Sequence, residues 1–258
     1  MKVVLFCGGL GMRLRDFSEN VPKPLVNIGY RPILWNLMSY YAHFGIREFV
    51  LCLGYRADAI KHYFLHYDEC LSNDFVLSKG GKDIQLLRRD IDDWTITFVD
   101  TGLHANIGTR LRAVRRYLEG EEMFMANYAD GLTDLPLDQY LARFQRQGKV
   151  ASMVTVAAPH AFHIVQSDPT GSVRAIEHVG DSVVRINGGF FIFRREIFDY
   201  MREGEELVVE PFQRLIDAGQ LVAYPYDGFW QNMDTFKDRQ RFEELLQSGE
   251  APWQVWKD

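Results

Sequence analysis

The chain has 258 residues, 47% hydrophobic and 25% charged, enough for one large globular core. A formal net charge of −6 and a pI near 5.7 exclude the footprint of a protein that binds nucleic acid or an anionic membrane, so a phosphorylated ligand has to be held by locally placed cations. Three cysteines, Cys7, Cys52 and Cys70, with no C-x-x-C pair, exclude a disulfide framework and a zinc site and point to a cytoplasmic home; no run approaches the ~20 apolar residues of a membrane span, and no signal peptide is expected before the first strand.

Residues 2–7, Lys-Val-Val-Leu-Phe-Cys, read as a short buried strand. The strand breaks into Gly8-Gly9-Leu10-Gly11-Met12-Arg13-Leu14. Closely spaced glycines let backbone N–H groups approach an anion with no Cβ in the way, and Arg13 adds a planar fork shaped to grip a polyphosphate. The glycines alone fit a plain strand-to-helix turn equally well; Arg13 and the downstream Pro22-Lys23-Pro24 favour a phosphate loop. The loop lacks the dinucleotide pattern G-x-G-x-x-G with an acidic residue about 20 positions on, and no G-K-[ST] closes it. An NAD-binding reading fails on that ground, and a nucleoside triphosphate held in another manner remains.

Residues 33–42 have apolar side chains at helical spacing after Arg31-Pro32, where a proline opens a helix. A second buried strand follows over 48–53, and Gly54-Tyr55-Arg56 turns into an amphipathic helix over 57–67. Strand, helix, strand, helix at short spacing predicts an α/β fold with a Rossmann-like, mostly parallel sheet flanked by helices, and ligands at the carboxyl ends of its strands. Residues 73–93 are polar and weakly periodic, a surface hairpin or insertion turning at Lys79-Gly80-Gly81-Lys82-Asp83. The strand over 94–99 ends in Asp100-Thr101-Gly102, and Gly108-Thr109-Arg110 opens a helix carrying Val114 and Tyr117, which fits either an anion-binding helix start or a simple turn. Residues 122–128 are a strand delivering Ala129-Asp130-Gly131, whose aspartate is a turn-former or a metal ligand.

A helix is expected over 135–147 and a buried strand over 151–157. Residues 164–184 alternate like a small antiparallel layer around the turn Asp168-Pro169-Thr170-Gly171. Asn187-Gly188-Gly189 leads a strand to Phe193, its glycines serving a bulge or a close approach to a ligand. Glu210-Pro211 opens a helix that Gly219 stops; a strand follows over 221–224, then Phe229-Trp230-Gln231-Asn232-Met233-Asp234-Thr235 and a charged helix over 236–247.

The ordered set Gly8 to Leu14, Pro22-Lys23-Pro24, Tyr128-Ala129-Asp130-Gly131, Asn187-Gly188-Gly189-Phe190-Phe191 and Met233-Asp234-Thr235 resembles the sugar-1-phosphate nucleotidylyltransferases. Ile33-Leu34-Trp35, Trp94 before Val99-Asp100-Thr101-Gly102, Gly228-Phe229-Trp230-Gln231 and the tail Ala251-Pro252-Trp253-Gln254-Val255-Trp256 look most like the branch that uses CTP and glucose 1-phosphate. The matches run the length of the chain. They imply one nucleotidylyltransferase domain over 1–258, with a nucleotide-binding half over roughly 1–135 and a sugar-binding half over roughly 136–258.

The implied reaction is Mg²⁺-dependent transfer of CMP from CTP to a sugar 1-phosphate, giving a CDP-sugar and pyrophosphate. By resemblance, Arg13, Lys23 and Asp130 are the catalytic residues, Arg13 at the leaving pyrophosphate and Lys23 at the reacting phosphates. Cys7, Gly8, Gly9, Gly11, Met12, Thr101, Gly102 and Arg110 lie on the nucleotide side, and His163, Glu177, Arg185, Asn187 and Glu210 on the sugar side. Asp130 and Asp234 share the metal. Cys7 itself reads as a buried, inert thiol.

The departures from the family pattern concern mainly the sugar side. Ala161-Phe162-His163 stands where an Arg-Phe-Gly-type turn is usual, and Glu177-His178-Val179 stands where Glu-Lys-Pro is usual, so the lysine that would grip the sugar phosphate is missing. Arg185, Arg174 and a protonated His178 are its candidate replacements. Two alternatives follow: a CTP-dependent enzyme with a different phosphate or phosphonate acceptor, and a non-catalytic nucleotide-binding homologue. No nucleic-acid or membrane partner is expected. Trp253, Trp256, Phe229 and Trp230 read as packing or a subunit contact, and a homo-oligomer is expected.

Overall fold

A computed structural model describes residues 1–9, 21–158, 163–179 and 183–257. Seven strands form the central sheet: β1 (Lys2–Phe6), β2 (Glu48–Leu53), β3 (Thr95–Asp100), β4 (Met123–Asn127), β5 (Ala151–Ala157), β6 (Arg185–Arg194) and β7 (Leu221–Tyr226). Their spatial order is β3-β2-β1-β4-β6-β5-β7. β6 runs antiparallel to both its neighbours, and every other pairing in the sheet is parallel.

Strands covered on both faces need apolar residues at every position, and this explains the unbroken apolar runs. Along β1, Val3 and Leu5 enter one core while Val4 and Phe6 enter the other; along β2, Phe49, Leu51 and Leu53 alternate in the same way with Val50 and Cys52. Helix α1 (Ile33–His43) follows Pro32 as expected, but every residue from Ile33 to Tyr41 is buried. It is a core helix, with no solvent-facing stripe over that stretch. The C-terminal tail closes over it: Trp253 is fully buried, donates from Nε1 to Asn36 Oδ1 at 3.1 Å and packs edge-on against Phe242, while Trp256 packs edge-on against Trp35. The packing reading of these tryptophans therefore holds within the chain.

Helices α2 (Ala57–Leu65), α3 (Ile107–Ala113), α4 (Leu137–Gln147), α5 (Glu210–Asp217) and α6 (Phe236–Gln247) follow the expected order. The expected second helix stops at Leu65 rather than at Tyr67, and α3 ends at Ala113, so Val114 caps it and Tyr117 lies in a following 3-10 turn. The polar stretch over 73–93 is a hairpin, Phe75–Ser78 against Asp83–Leu86. A second ribbon, His163–Ser167 against Val173–His178, is the small antiparallel layer. No helix among the described residues is long and apolar enough to cross a membrane.

The order β3-β2-β1-β4 places the topological switch between β1 and β4. A crevice opens at the carboxyl ends of strands at such a point. Gly8 leaves β1 there, Asp130 leaves β4, and the start of β6 arrives from the opposite direction.

Candidate active site

The chain turns sharply after β4. Asn127 Oδ1 accepts from the Ala129 amide at 2.9 Å, and Ala129, fully buried, takes the left-handed backbone with φ +62°. An L-residue adopts that backbone at a cost of about 1 kcal/mol, so the surrounding contacts must hold it. Gly131–Thr133 then pairs antiparallel with Trp230–Asn232, and Met233 N donates to Asp130 O at 2.8 Å. This three-residue ribbon brings together two aspartates 104 positions apart in the chain.

Asp234 sits at the entry to α6, where the Asp238 carboxylate accepts from the amides of Asp234 and Thr235 in a capping box. Asn232 Nδ2 donates to Asp234 Oδ2 at 2.7 Å. Lys23, between Pro22 and Pro24, begins the 3-10 turn Lys23–Leu25, and its Nζ donates to Asp130 Oδ2 at 2.7 Å and to Asp234 Oδ1 at 2.6 Å. Burial holds the Asp130 carboxyl above its ordinary pKa; the Lys23 ammonium opposes that shift and the neighbouring Asp234 adds to it.

Two hard carboxylates thus converge on one cation and stay partly open, at 28% and 24% exposure. Among the described residues no group of three or more His, Cys, Asp or Glu could cage a metal. A pair of carboxylates with an open side suits a small divalent cation that completes its shell with phosphate oxygens and water.

The residues expected on the nucleotide side rest on a buried clasp. Arg110, 3% exposed, donates to Gly8 O at 3.0 Å, to Leu53 O at 3.1 Å, to Thr101 Oγ1 at 2.7 Å and to Leu103 O at 3.4 Å, and so links the ends of β1, β2 and β3. Thr101 Oγ1 also donates to Leu53 O at 2.7 Å, and burial lowers the arginine's pKa. The guanidinium is spent on the protein's own oxygens, which makes it a support for the loop. A Cβ at Gly8 would lie 2.1 Å from Arg110 Nη1, whereas one at Gly9 would meet nothing within 4 Å among the described residues. The sequence reading gave the glycines to an approaching anion; at Gly8 the space belongs to Arg110. Gly102, at φ +95°, turns the end of β3 and donates to Asp100 Oδ1. Cys7 is fully buried with its thiol pKa pushed up by desolvation, so only its main chain is left to face a ligand.

On the other side, Asn187 Nδ2 donates to Tyr128 Oη at 3.1 Å and its Oδ1 accepts from the Gly189 amide. The β5–β6 register slips here, Gly189 has φ +76°, and a Cβ on it would lie 2.6 Å from the Tyr128 ring. The glycine pair is therefore a bulge. Trp230 Nε1 pins it by donating to Gly188 O at 2.8 Å. Burial pushes the Tyr128 phenol up to about 12, so it stays protonated beside Asn187.

Arg185, a candidate for the missing lysine, is tied down by Asp227 Oδ1 at 2.8 Å and by the carbonyls of Thr155 and Tyr226. Arg174, another, is an exposed side chain paired with Asp168 at 3.5 Å. His163 and His178 face each other across the ribbon with ring centroids 5.5 Å apart, edge to face, while Glu177 accepts from Gln166. Glu210 opens α5, exposed, and takes the Glu206 amide at 3.2 Å rather than joining the carboxylate pair.

Gly11, Met12 and Arg13 lie outside the described residues, as do Ala161 and Phe162. Sequence reasoning missed Tyr128, Asn232 and the Trp230 pin. Tyr128 precedes the Ala129-Asp130-Gly131 turn and was the accessible signal; the three-residue ribbon carries no periodicity to read.

The family model described as nucleotidyl transferase matches residues 2–249. The glucose-1-phosphate cytidylyltransferases of Salmonella typhi and Salmonella typhimurium (strain LT2) are each 35% identical over 259 residues, covering 99% of this chain and all of theirs. Among solved structures, HddC from Yersinia pseudotuberculosis matches with a TM-score of 0.70 at 20% identity, over 95% of this chain and 99% of that one.

Proposed function

The chain belongs to the nucleotidyl transferase family, and from that premise we propose that it transfers CMP from CTP to a sugar 1-phosphate, glucose 1-phosphate in the first instance, with Mg²⁺ as cofactor and pyrophosphate as the second product. The observation that carries the reading is the convergence of Asp130, Asp234 and Lys23 at the switch point of the sheet. The full-length likeness to cytidylyltransferases supports this choice of base and acceptor class.

In such a transfer the acceptor phosphate oxygen attacks the α-phosphorus in line while pyrophosphate leaves. Catalysis is then positioning and neutralisation of charge. Asp130 and Asp234 would hold Mg²⁺, which when bound neutralises and orients the phosphates of both substrates. Lys23 exchanges its carboxylate partners for phosphate oxygens and stabilises the charge that builds on them. The Gly8-Gly9 backbone, supported from below by Arg110 and Thr101, receives the nucleotide. Asn187, braced by Tyr128, orients a hydroxyl of the acceptor. Arg13 stands by resemblance at the leaving pyrophosphate.

A second reading keeps CTP and changes the acceptor. It is favoured by the His163–His178 pair, which puts two imidazoles where the family pattern has a glycine and a lysine. Pyrophosphate release with Mg²⁺, crossing CTP, UTP, dTTP and ATP with glucose 1-phosphate and a panel of other sugar phosphates and phosphonates, tests both. Turnover with CTP and glucose 1-phosphate supports the first reading, and CTP-dependent turnover with another acceptor alone supports the second. No turnover with any pair, despite CTP binding, leaves the non-catalytic homologue.

A further inference from the structure

The ribbon that pairs Asp130 with Asp234 ends on Asn232, a residue to which the transfer chemistry above gives no role. Asn232 is partly buried, and its main chain pairs with Gly131, the neighbour of Asp130. Its side chain reaches Asp234, with Nδ2 donating to Oδ2 at 2.7 Å. An ionised carboxylate only accepts, so the amide nitrogen is the atom that can face it. One residue thus anchors its backbone beside one carboxylate and grips the other.

The two oxygens of Asp234 face different donors. Oδ1 meets the Lys23 ammonium at 2.6 Å, on the side shared with Asp130, while Oδ2 meets Asn232. These donors differ in kind. Lys23 has a long, flexible stem, and the proposed chemistry turns its ammonium toward phosphate. Asn232 is short, and its backbone is held in the ribbon. The Asp238 carboxylate accepts from the Asp234 amide at 3.0 Å, which fixes the main chain at this position but leaves the carboxylate to turn. That terminal torsion is broad and two-fold, so a donor on Oδ2 selects which oxygen faces Asp130 and Lys23.

We propose that Asn232 is a positioning residue for the metal site: by holding Asp234 Oδ2 it presents Oδ1 alone to the cation, and so favours Mg²⁺ over Ca²⁺. The proposal rests on the reading of Asp130 and Asp234 as the metal carboxylates. Mg²⁺ is small and keeps most of its water, so one well-aimed oxygen from each carboxylate suits it; Ca²⁺ is larger and readily takes both oxygens of one carboxylate. An oxygen that already accepts from a fixed amide is a poorer second ligand. Removing the amide therefore costs both ions the orientation of Oδ1, and only Ca²⁺ recovers the loss through the released Oδ2.

Mn²⁺ binding to the full chain tests this, read by water-proton relaxation with CTP present and no acceptor, and with Mg²⁺ and Ca²⁺ as competitors. Asn232→Leu should weaken Mn²⁺ and Mg²⁺ by about tenfold and Ca²⁺ by less than about twofold, so that discrimination between Mg²⁺ and Ca²⁺ falls at least about fivefold. Asn232→Asp keeps the shape and puts an acceptor in place of the donor; it should lose the same discrimination, with Ca²⁺ bound more tightly than by the wild-type chain. Discrimination that stays within about twofold of wild type in either variant, whether the affinities hold or fall together, overturns the proposal and leaves the metal reading standing. Mn²⁺ bound as tightly by Asp234→Asn as by the wild-type chain overturns the metal reading, and the proposal with it.

Discussion

The two sides of the crevice are built differently. The side proposed for the nucleotide is a buried clasp in which one guanidinium bonds to the ends of three strands, and Gly8 leaves it the space. The residues proposed for the acceptor side include His163 and His178, whose rings face each other across a two-stranded ribbon. A residue in the clasp cannot change without unpairing several buried groups, whereas the ribbon can exchange side chains and leave the sheet intact.

The largest expected effect lies where the two sides meet. Asp130→Asn should lower the rate of pyrophosphate release by about 10³-fold or more, because it removes one of the two carboxylates proposed to hold the metal. The same variant should not lower Tm. Burial lifts the folded-state pKa of Asp130 above 3.8, so the group contributes stability that is full below its unfolded pKa and is lost as pH rises through the folded value. At pH 7.5 a neutral amide avoids that loss, and calorimetry should find Tm unchanged or raised by about 1–3 °C.

Next in size is the clasp itself. Arg110→Met leaves the oxygens of Gly8, Leu53 and Thr101 short of a donor and should cost about 3 kcal/mol, which denaturant titration would read, together with a raised KM for the nucleotide. A matched pair of variants sharpens the point. Gly8→Ala drives a methyl into Arg110 and should lose at least about tenfold in nucleotide affinity, whereas Gly9→Ala meets no described residue and should lose less. Equal losses in the two would break the comparison.

The smallest structural effect belongs to the ribbon. His163→Ala, at an exposed position, should change stability by less than about 0.5 kcal/mol and, like His178→Ala, shift KM for the acceptor several-fold with KM for the nucleotide unmoved. A nucleotide KM that moves with the acceptor KM would show that the two sides are not separate.

Much of this architecture can be read from the chain because strands such as β1 and β2 are near-continuous apolar runs and its helices are punctuated by Pro32, Pro211 and Gly219. Lys23 between two prolines was legible for the same reason. The pairing of Gly131–Thr133 with Trp230–Asn232 was not, since three residues carry no period, yet that ribbon is what makes a pair of Asp130 and Asp234. Arg110 showed the reverse difficulty. A glycine and arginine at a helix start suggested a ligand contact, and only the fold reveals that the guanidinium turns inward and that Asn106 caps the helix. Sequence spacing can announce a cation, but which oxygens it meets depends on strands brought together from distant parts of the chain.

The most direct test of the central claim follows the label from CTP carrying radioactive α-phosphorus, incubated with Mg²⁺ and glucose 1-phosphate. The account predicts label in a CDP-sugar with the wild-type chain and its loss, by about 10³-fold, in Asp130→Asn and in Asp234→Asn. Transfer by either variant at the wild-type rate would contradict it.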